Sequence, residues 1–247
     1  MPTKSNNDNI YQSQLNQVGN FKFDKAVAQV FSDMIARSVP GYAQILSLLP
    51  SLTRQFKFSD SHYYDIGCSL GAGMIAIAQG LEGQQSPIIG IDNSQPMLEQ
   101  ASTHLDAYNR SHTANFQLYC ADINDYQLQH AGMVLMNFTL QFIAVEQRTP
   151  LLEHIYQALT PGGALVLSEK ISFEHIQTNN LLVDIHHQFK ADQGYSQLEI
   201  SQKRQAIENV LIPETLDTHI QRLEKAGFSI ITPWIQNLQF LSILAVK

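Results

Sequence analysis

Cysteine is scarce: 247 residues include only two, Cys68 and Cys120. They lie far apart and outside any C-x-x-C spacing, which excludes a disulfide framework and a cysteine-based zinc site and fits a reducing compartment. No apolar run approaches the roughly 20 residues that a membrane-spanning helix needs. The opening MPTKSNNDNIYQSQLNQVGN is polar throughout and has no apolar stretch of the secretory kind. These absences point to the cytoplasm and to no membrane partner. Positive charge is in deficit too, with 15 Lys and Arg against 22 Asp and Glu, a net charge of −7. Without a basic run to counter that field, direct nucleic-acid binding is not expected and the substrate is read as small. Charged residues make up 15% and hydrophobic residues 44%, enough for a buried core and too apolar for disorder.

Residues 1–20 are rich in Asn, Gln and Ser and read as a mobile tail, leaving 21–247 as a single α/β domain. FDKAVAQVFSDMIARSVPGYAQILSLLPSLTRQF carries apolar residues at helical spacing and is broken by Pro40-Gly41, which predicts two N-terminal helices joined by a turn. The rhythm then changes. HYYDIG, PIIGID, NFQLYC, AGMVLMN and ALVLSEK read as strands, with helical segments after the first, second and fourth. The helix before ALVLSEK is read as ending at Pro161-Gly162-Gly163. Alternation of this kind predicts a doubly wound, mostly parallel sheet with helices on both faces. The alternation stops at 174–212, which reads as a helical insertion with a break at Gly194-Tyr195. A last helix ending at Gly227 and two strands follow, seven strands in all, with the final strand expected antiparallel.

The strongest chemical signal is Asp65-Ile66-Gly67-Cys68-Ser69-Leu70-Gly71-Ala72-Gly73, after a strand and opening a helix. Glycines there allow a tight turn and close approach of backbone to ligand. Asp92, 25 residues past Gly67 at the next strand end, is placed to accept hydrogen bonds from ribose hydroxyls. Asp122 ends the third strand and suits an adenine amino group, with Ile123 packing on the ring; Asn137 ends the fourth. Successive strand ends with polar groups converge on the carboxyl edge of such a sheet, where ligands bind. Asp92 and Asp122 are also ordinary helix caps. A nicotinamide dinucleotide turn would read G-x-G-x-x-G, whereas this one is G-x-S-x-G-x-G, a spacing that favours S-adenosylmethionine (SAM).

This turn, with strand-end Asp92, Asp122-Ile123 and the Pro161-Gly162-Gly163 turn, resembles class I SAM-dependent methyltransferases, with Ser69 where that pattern has its middle glycine. SVPGY at 38–42, DIGCSLGAG at 65–73, IDNS at 91–94, NFTLQF at 137–142, PGGALVLSEK at 161–170 and GYSQLEISQKR at 194–204 are similar, more narrowly, to carboxy-S-adenosyl-L-methionine (carboxy-SAM) synthases. The likeness spans nearly all of the chain after residue 20. It implies a Rossmann-type transferase that is a homodimer and converts SAM and prephenate to carboxy-SAM and phenylpyruvate, for a separate enzyme that modifies the tRNA wobble uridine. It also implies ligand-binding positions at Tyr42, Gly67, Cys68, Ser69, Asp92, Asn93, Asp122, Ile123, Asn137 and Arg204. In that chemistry the sulfonium acidifies its methyl group and the carbanion captures the carbon dioxide leaving prephenate. The prephenate hydroxyl leaves as hydroxide and can take the methyl proton. Arg204 is assigned the catalytic place, because a guanidinium meets the new carboxylate bidentately.

Two other readings stay open on spacing alone: a SAM-dependent methyltransferase of a small molecule, and a non-catalytic SAM-binding subunit. Cys68 has no His partner near it in sequence and reads as a small loop residue whose N–H serves the ligand. His186-His187 lack metal-ligand spacing and read as surface or lid residues, so no metal is expected. Glu169-Lys170 reads as an ion pair, and Tyr195 and Arg37 as structural or as aids to an anionic second substrate. Arg204 has a plainer alternative, pairing with Glu199 or Glu208 on its own helix.

Overall fold

Two N-terminal helices, α1 (Lys25–Ser38) and α2 (Tyr42–Gln55), lead into an alternating run of strands and helices in the computed structural model, which describes residues 7–247. The run is β1 (His62–Ile66), α3 (Ala72–Leu81), β2 (Pro87–Asp92), α4 (Gln95–Asn109), β3 (Asn115–Cys120), β4 (Ala131–Asn137), α5 (Val145–Ala158) and β5 (Leu159–Ser172). The insertion follows as α6 (Ile176–Asp192) and α7 (Gln197–Ile207), separated by Gly194. The chain closes with β6 (Glu214–Thr215), α8 (Leu216–Ala226), β7 (Ile230–Asn237) and β8 (Phe240–Val246).

Seven strands form one path in the order β3-β2-β1-β4-β5-β8-β7, and the two-residue β6 pairs off it with β5. The first five strands are mutually parallel and β8 is antiparallel to both neighbours. Side chains of successive residues point to opposite faces, so each central strand feeds two cores. Tyr64, Ile66, Val134 and Met136 pack with Leu151, Ile155 and Leu223 of α5 and α8. Tyr63, Met133 and Leu135 pack with Ile45, Leu49, Ile77 and Leu98 of α2, α3 and α4. Burial on both faces explains why these strands are continuous apolar runs. Each fully buried Leu or Ile contributes about 1.5–3 kcal/mol.

Local signals set the helix ends. Asp24 Oδ1 accepts from the N–H of Ala26 and Val27 at 2.9 and 3.0 Å, capping α1. Ser196 and Glu199 form a reciprocal capping box at the start of α7. Gly227, at φ 112°, ends α8 in the left-handed conformation.

Two sequence expectations need revision. Pro161-Gly162-Gly163 lies within β5, which starts at Leu159, as an irregularity in its register with β4. The expected mobile tail is docked where it is described: Asp8 is buried, the Leu15 N–H donates to Gln202 Oε1 at 2.7 Å, and Gln202 Nε2 donates to the carbonyls of Tyr11 and Ser13 at 2.9 Å. Polar side chains of α7 supply the partners that polar composition alone does not reveal. Residues 1–6 of that expectation lie outside the described residues.

Candidate active site

The carboxyl ends of β1, β2, β3, β4 and β5 open into one cavity of about 440 Å³. Its lining includes Tyr42, Gly67, Cys68, Ser69, Asp92, Asn93, Asp122, Ile123 and Asn137, nine of the ten positions expected from the sequence. The glycine turn is held from below. Gly67 sits at φ 71°, and a Cβ there would lie 2.3 Å from Thr139 Oγ1. A Cβ on Gly73 would lie 2.5 Å from Asp65 Oδ2, so α3 can approach the end of β1 only as glycine.

Asp92 joins two segments. Its Oδ2 accepts from the Ser69 N–H at 2.9 Å and its Oδ1 from the Ser94 N–H at 2.9 Å, while Ser94 itself caps α4. Each oxygen keeps capacity for a further donor, the geometry a ribose diol needs. Burial raises the Asp92 pKa, and its two amide donors work against that rise. The capping role foreseen for Asp122 is present as well: Oδ1 accepts from Asn124 N–H and Asn124 Nδ2, both at 2.9 Å. Asn137 Oδ1 is buried and has no hydrogen-bond partner among the described residues. An orphaned acceptor on the cavity lining costs free energy unless a ligand donor meets it.

Cys68 departs from its expected role. Its N–H donates to the Ile91 carbonyl at 3.2 Å and is not free for a ligand, because the turn folds back over the end of β2. Its thiol is buried, and burial raises its pKa well above the ordinary value, which leaves it un-ionised and a poor nucleophile.

Arg204 is the exception to the convergence. It is absent from the cavity lining, its side chain is 56% exposed, and it sits 3.9 Å from Glu208 in an i,i+4 pair. Helix phase gives the reason: Ile200, Lys203 and Ala206 form the buried face of α7, and the neighbouring residue turns about 100° away.

The lining also includes cationic and aromatic residues that the sequence did not single out as ligands. Lys170, Lys190, Lys203 and His186 line the cavity, as do Phe21, Phe23 and Phe142. His186 is buried, with Nε2 2.8 Å from the Ser38 carbonyl, so it is an interior residue and not a surface one. Burial, then Lys190, lowers its pKa to about 3, which keeps it neutral. Glu169 and Lys170 do not pair. They are consecutive on a strand and face opposite ways, Glu169 Oε1 accepting from the Leu140 N–H at 3.0 Å on one side. Burial raises Glu169 to about 8 despite the opposing influence of Arg148. Tyr195 and Arg37 lie off the cavity: the guanidinium stacks 3.8 Å over the Tyr195 ring, and the hydroxyl donates to Asp8.

A family model described as a methyltransferase domain matches residues 64–165. A carboxy-S-adenosyl-L-methionine synthase of Actinobacillus pleuropneumoniae serotype 5b is 47% identical over 242 residues, 98% of this chain and 100% of that protein. One from Vibrio atlanticus is 46% identical over 243 residues, again 98% of this chain and 100% of that protein. Among solved structures, human N-acetylserotonin methyltransferase in complex with SAM aligns with a TM-score of 0.59 at 17% identity, over 90% of this chain and 55% of that one. At that identity the likeness speaks for the fold alone.

Proposed function

The chain belongs to the carboxy-S-adenosyl-L-methionine synthase family, and on that premise we propose that it forms carboxy-SAM from SAM and prephenate with release of phenylpyruvate. The observation that carries this reading is the convergence of nine separate sequence positions on one cavity whose far side is cationic. An α/β domain over residues 21–247 holds SAM at the β1–β4 ends. Asp92 takes the ribose hydroxyls, Asp122 and Ile123 the adenine, and Asn137 Oδ1 a donor of the methionyl part. The amide of Ser69, already engaged by Asp92, holds the turn that these groups share.

SAM supplies an acidified methyl group; the protein positions it and excludes water. Phe23 makes edge contacts with Phe21, Phe31 and Phe142, centroids 5.1–6.3 Å apart, and this apolar wall shields the cavity. The departing prephenate hydroxyl takes the methyl proton, so the fold need provide no strong base. That agrees with its residues: His186 is neutral and donates toward a carbonyl, and Cys68 is a thiol. No metal is assigned a part.

Arg204 stands outside the cavity of its own chain. On this reading it meets the new carboxylate from across a homodimer, its side chain being exposed and free to reach a second copy. The reaction is placed in the cytoplasm, upstream of a separate tRNA-modifying enzyme, with no direct contact between this chain and nucleic acid. The test is mass spectrometry of the purified protein incubated with SAM and prephenate. A SAM derivative heavier by one carboxyl, with equimolar phenylpyruvate, is expected. Methylated small-molecule product in its place would return the chain to the methyltransferases; binding of SAM without turnover would make it a subunit.

A further inference from the structure

The strand order β3-β2-β1-β4-β5 lays the cavity's polar groups out in a line: Asp122, Asp92, Asn137, and then Lys170 beyond them. Two more lysines reach this end from the insertion, Lys190 in the last turn of α6 and Lys203 in α7. All three are cavity-lining, and Lys190 and Lys203 are only 8% and 7% exposed. Lys203 is anchored, with Nζ 3.4 Å from Asp8 Oδ2 and 3.0 Å from Ser38 Oγ. Among the described residues, the Lys170 ammonium has only a neutral side-chain partner, the Gln239 amide, whose oxygen accepts from Nζ at 3.3 Å when that amide is turned to satisfy both its groups. The Lys190 ammonium has no hydrogen bond or ion pair among the described residues, although its backbone carbonyl accepts from the Tyr195 N–H at 3.1 Å. Among those residues, Asp8 is thus the one carboxylate paired with any of the three ammonium groups.

Such an arrangement is unfavourable on its own. A buried ammonium without a partner loses hydration that nothing restores. Burial and the mutual repulsion of Lys203, Lys170 and Arg204 lower Lys190 to about 7, opposed only by Asp8. Lys170 is lowered by burial and by Arg204. The sequence nevertheless places these lysines on three different elements that meet at one point. An entering dianion would supply the missing counter-charges, and the rings of His186 and Phe240, in edge-to-face contact with centroids 4.9 Å apart, line the same cavity and give a six-membered ring apolar surface to pack on.

We propose that Lys170 and Lys190, with Lys203 behind them, form the subsite that binds the two carboxylates of the second substrate, a small cyclic dicarboxylate. This rests on the reaction proposed above. It assigns Lys190 and Lys170 as substrate-binding residues and leaves SAM to the acidic end of the same cavity. The pairing also orients the substrate, because two fixed cations engage two carboxylates where one would leave the ring free to rotate.

The test compares Lys190→Met and Lys170→Met with the wild-type chain. Steady-state rates with varied prephenate at saturating SAM are expected to show KM for prephenate raised about ten- to a hundredfold in each variant, the ratio of one charge-assisted pair. The dissociation constant of SAM, by calorimetry, is expected to stay within about twofold, which also reports that each variant is folded. Lys190→Arg should recover part of the loss. A separate arm uses phenylsuccinate, an unreactive dicarboxylate, titrated into the SAM-saturated protein; its binding should be lost in both Met variants. Unchanged KM and unchanged phenylsuccinate affinity in either folded variant overturns the subsite. Absence of wild-type turnover with prephenate, together with phenylsuccinate binding that depends on Lys190, would overturn the assigned reaction while leaving the subsite standing. Because the two lysines lie on different elements, failure of one variant to fold leaves the other to decide.

Discussion

The backbone N–H of Ser69 donates to Asp92 Oδ2 at 2.9 Å, so the residue occupying the usual middle-glycine place of the turn is bound to the strand-end carboxylate. Ser69 has a positive φ of 48°, a conformation that costs a non-glycine residue about 1–2 kcal/mol. The bond to Asp92 and the packing of the turn compensate for that strain.

Asp92→Ala removes this bond, the Ser94 bond and the proposed ribose contact together. SAM affinity should fall by at least about 1–3 kcal/mol, the cost of unpaired buried donors. Asp92→Asn, which still accepts at one oxygen, should lose less. Calorimetry on both folded variants decides the point, and an affinity for SAM equal to wild type in Asp92→Ala would remove the ribose assignment.

Arg204 gives a test in which the partner chain matters. Arg204→Ala should weaken carboxy-SAM binding about tenfold to a hundredfold, a charge-assisted pair being worth roughly 1.5–3 kcal/mol, and weaken SAM much less. Sedimentation should show a dimer. Mixing Arg204→Ala with an Asp92→Ala chain should restore about a quarter of wild-type sites if the guanidinium acts across the interface, since each mixed dimer then has one intact cavity facing one intact arginine. An unchanged ratio of the two affinities would leave Arg204 as no more than the partner of Glu208.

His219 is 1% exposed and neither ring nitrogen has a hydrogen-bond partner among the described residues. Burial lowers its pKa to about 4 from 6.5, with Arg222 and Arg148 adding to the fall and Glu214 opposing it. A base lowered in the folded state stabilises fully above its unfolded pKa, and that contribution is lost as pH drops from 6.5 towards 4. The loss amounts to about 3 kcal/mol, because each tenfold difference in proton affinity between the folded and unfolded chains is worth about 1.4 kcal/mol. His219→Leu should flatten the dependence of urea stability on pH across that window and should not weaken the protein at neutral pH. Parallel pH profiles for the two proteins would count against this account.

Arg148 is fully buried and ties together distant segments. Its Nε donates to the Ile143 carbonyl at 2.9 Å, Nη2 to those of Gln141 and Ile212 at 3.1 and 3.0 Å, and Nη1 to Glu214, which Arg222 also binds at 2.6 and 2.8 Å. Arg148→Met leaves the carboxylate with one partner and takes a donor from three carbonyls, of which only that of Gln141 keeps another, the Ile212 N–H at 3.0 Å, and should cost about 3–5 kcal/mol in denaturant unfolding. A loss below about 1 kcal/mol would mean that the network is replaceable by water.

Much of this layout could be read in advance because strand ends are local signals. Asp92 and Asn137 each close an apolar strand and Asp122 follows the end of β3 by two residues, and a parallel sheet brings such ends to one edge whatever the intervening lengths. The cationic end was not legible in that way. Lys190 and Lys203 come from helices whose approach to the cavity depends on tertiary packing, and within the ISQKR motif the guanidinium of Arg204 is the more conspicuous chemistry. A signal was present: Ile200, Lys203 and Ala206 follow a helical spacing that turns Lys203 inward and Arg204 outward. The docked segment from residue 7 was hidden for a different reason, since Asp8 and its partners are polar and become an anchor only when all of them lose water together.

Asp8 and Lys203 lie 195 positions apart, and Asp8 also accepts from Tyr195. The cavity wall is therefore closed by a contact between the first and last fifths of the chain. During synthesis the five parallel strands can assemble while the N-terminal segment waits for α7, so substrate-binding competence arrives after most of the sheet exists. Loop closure across such a span is entropically slow. Refolding followed by a probe of the sheet should run ahead of refolding followed by recovered ligand binding.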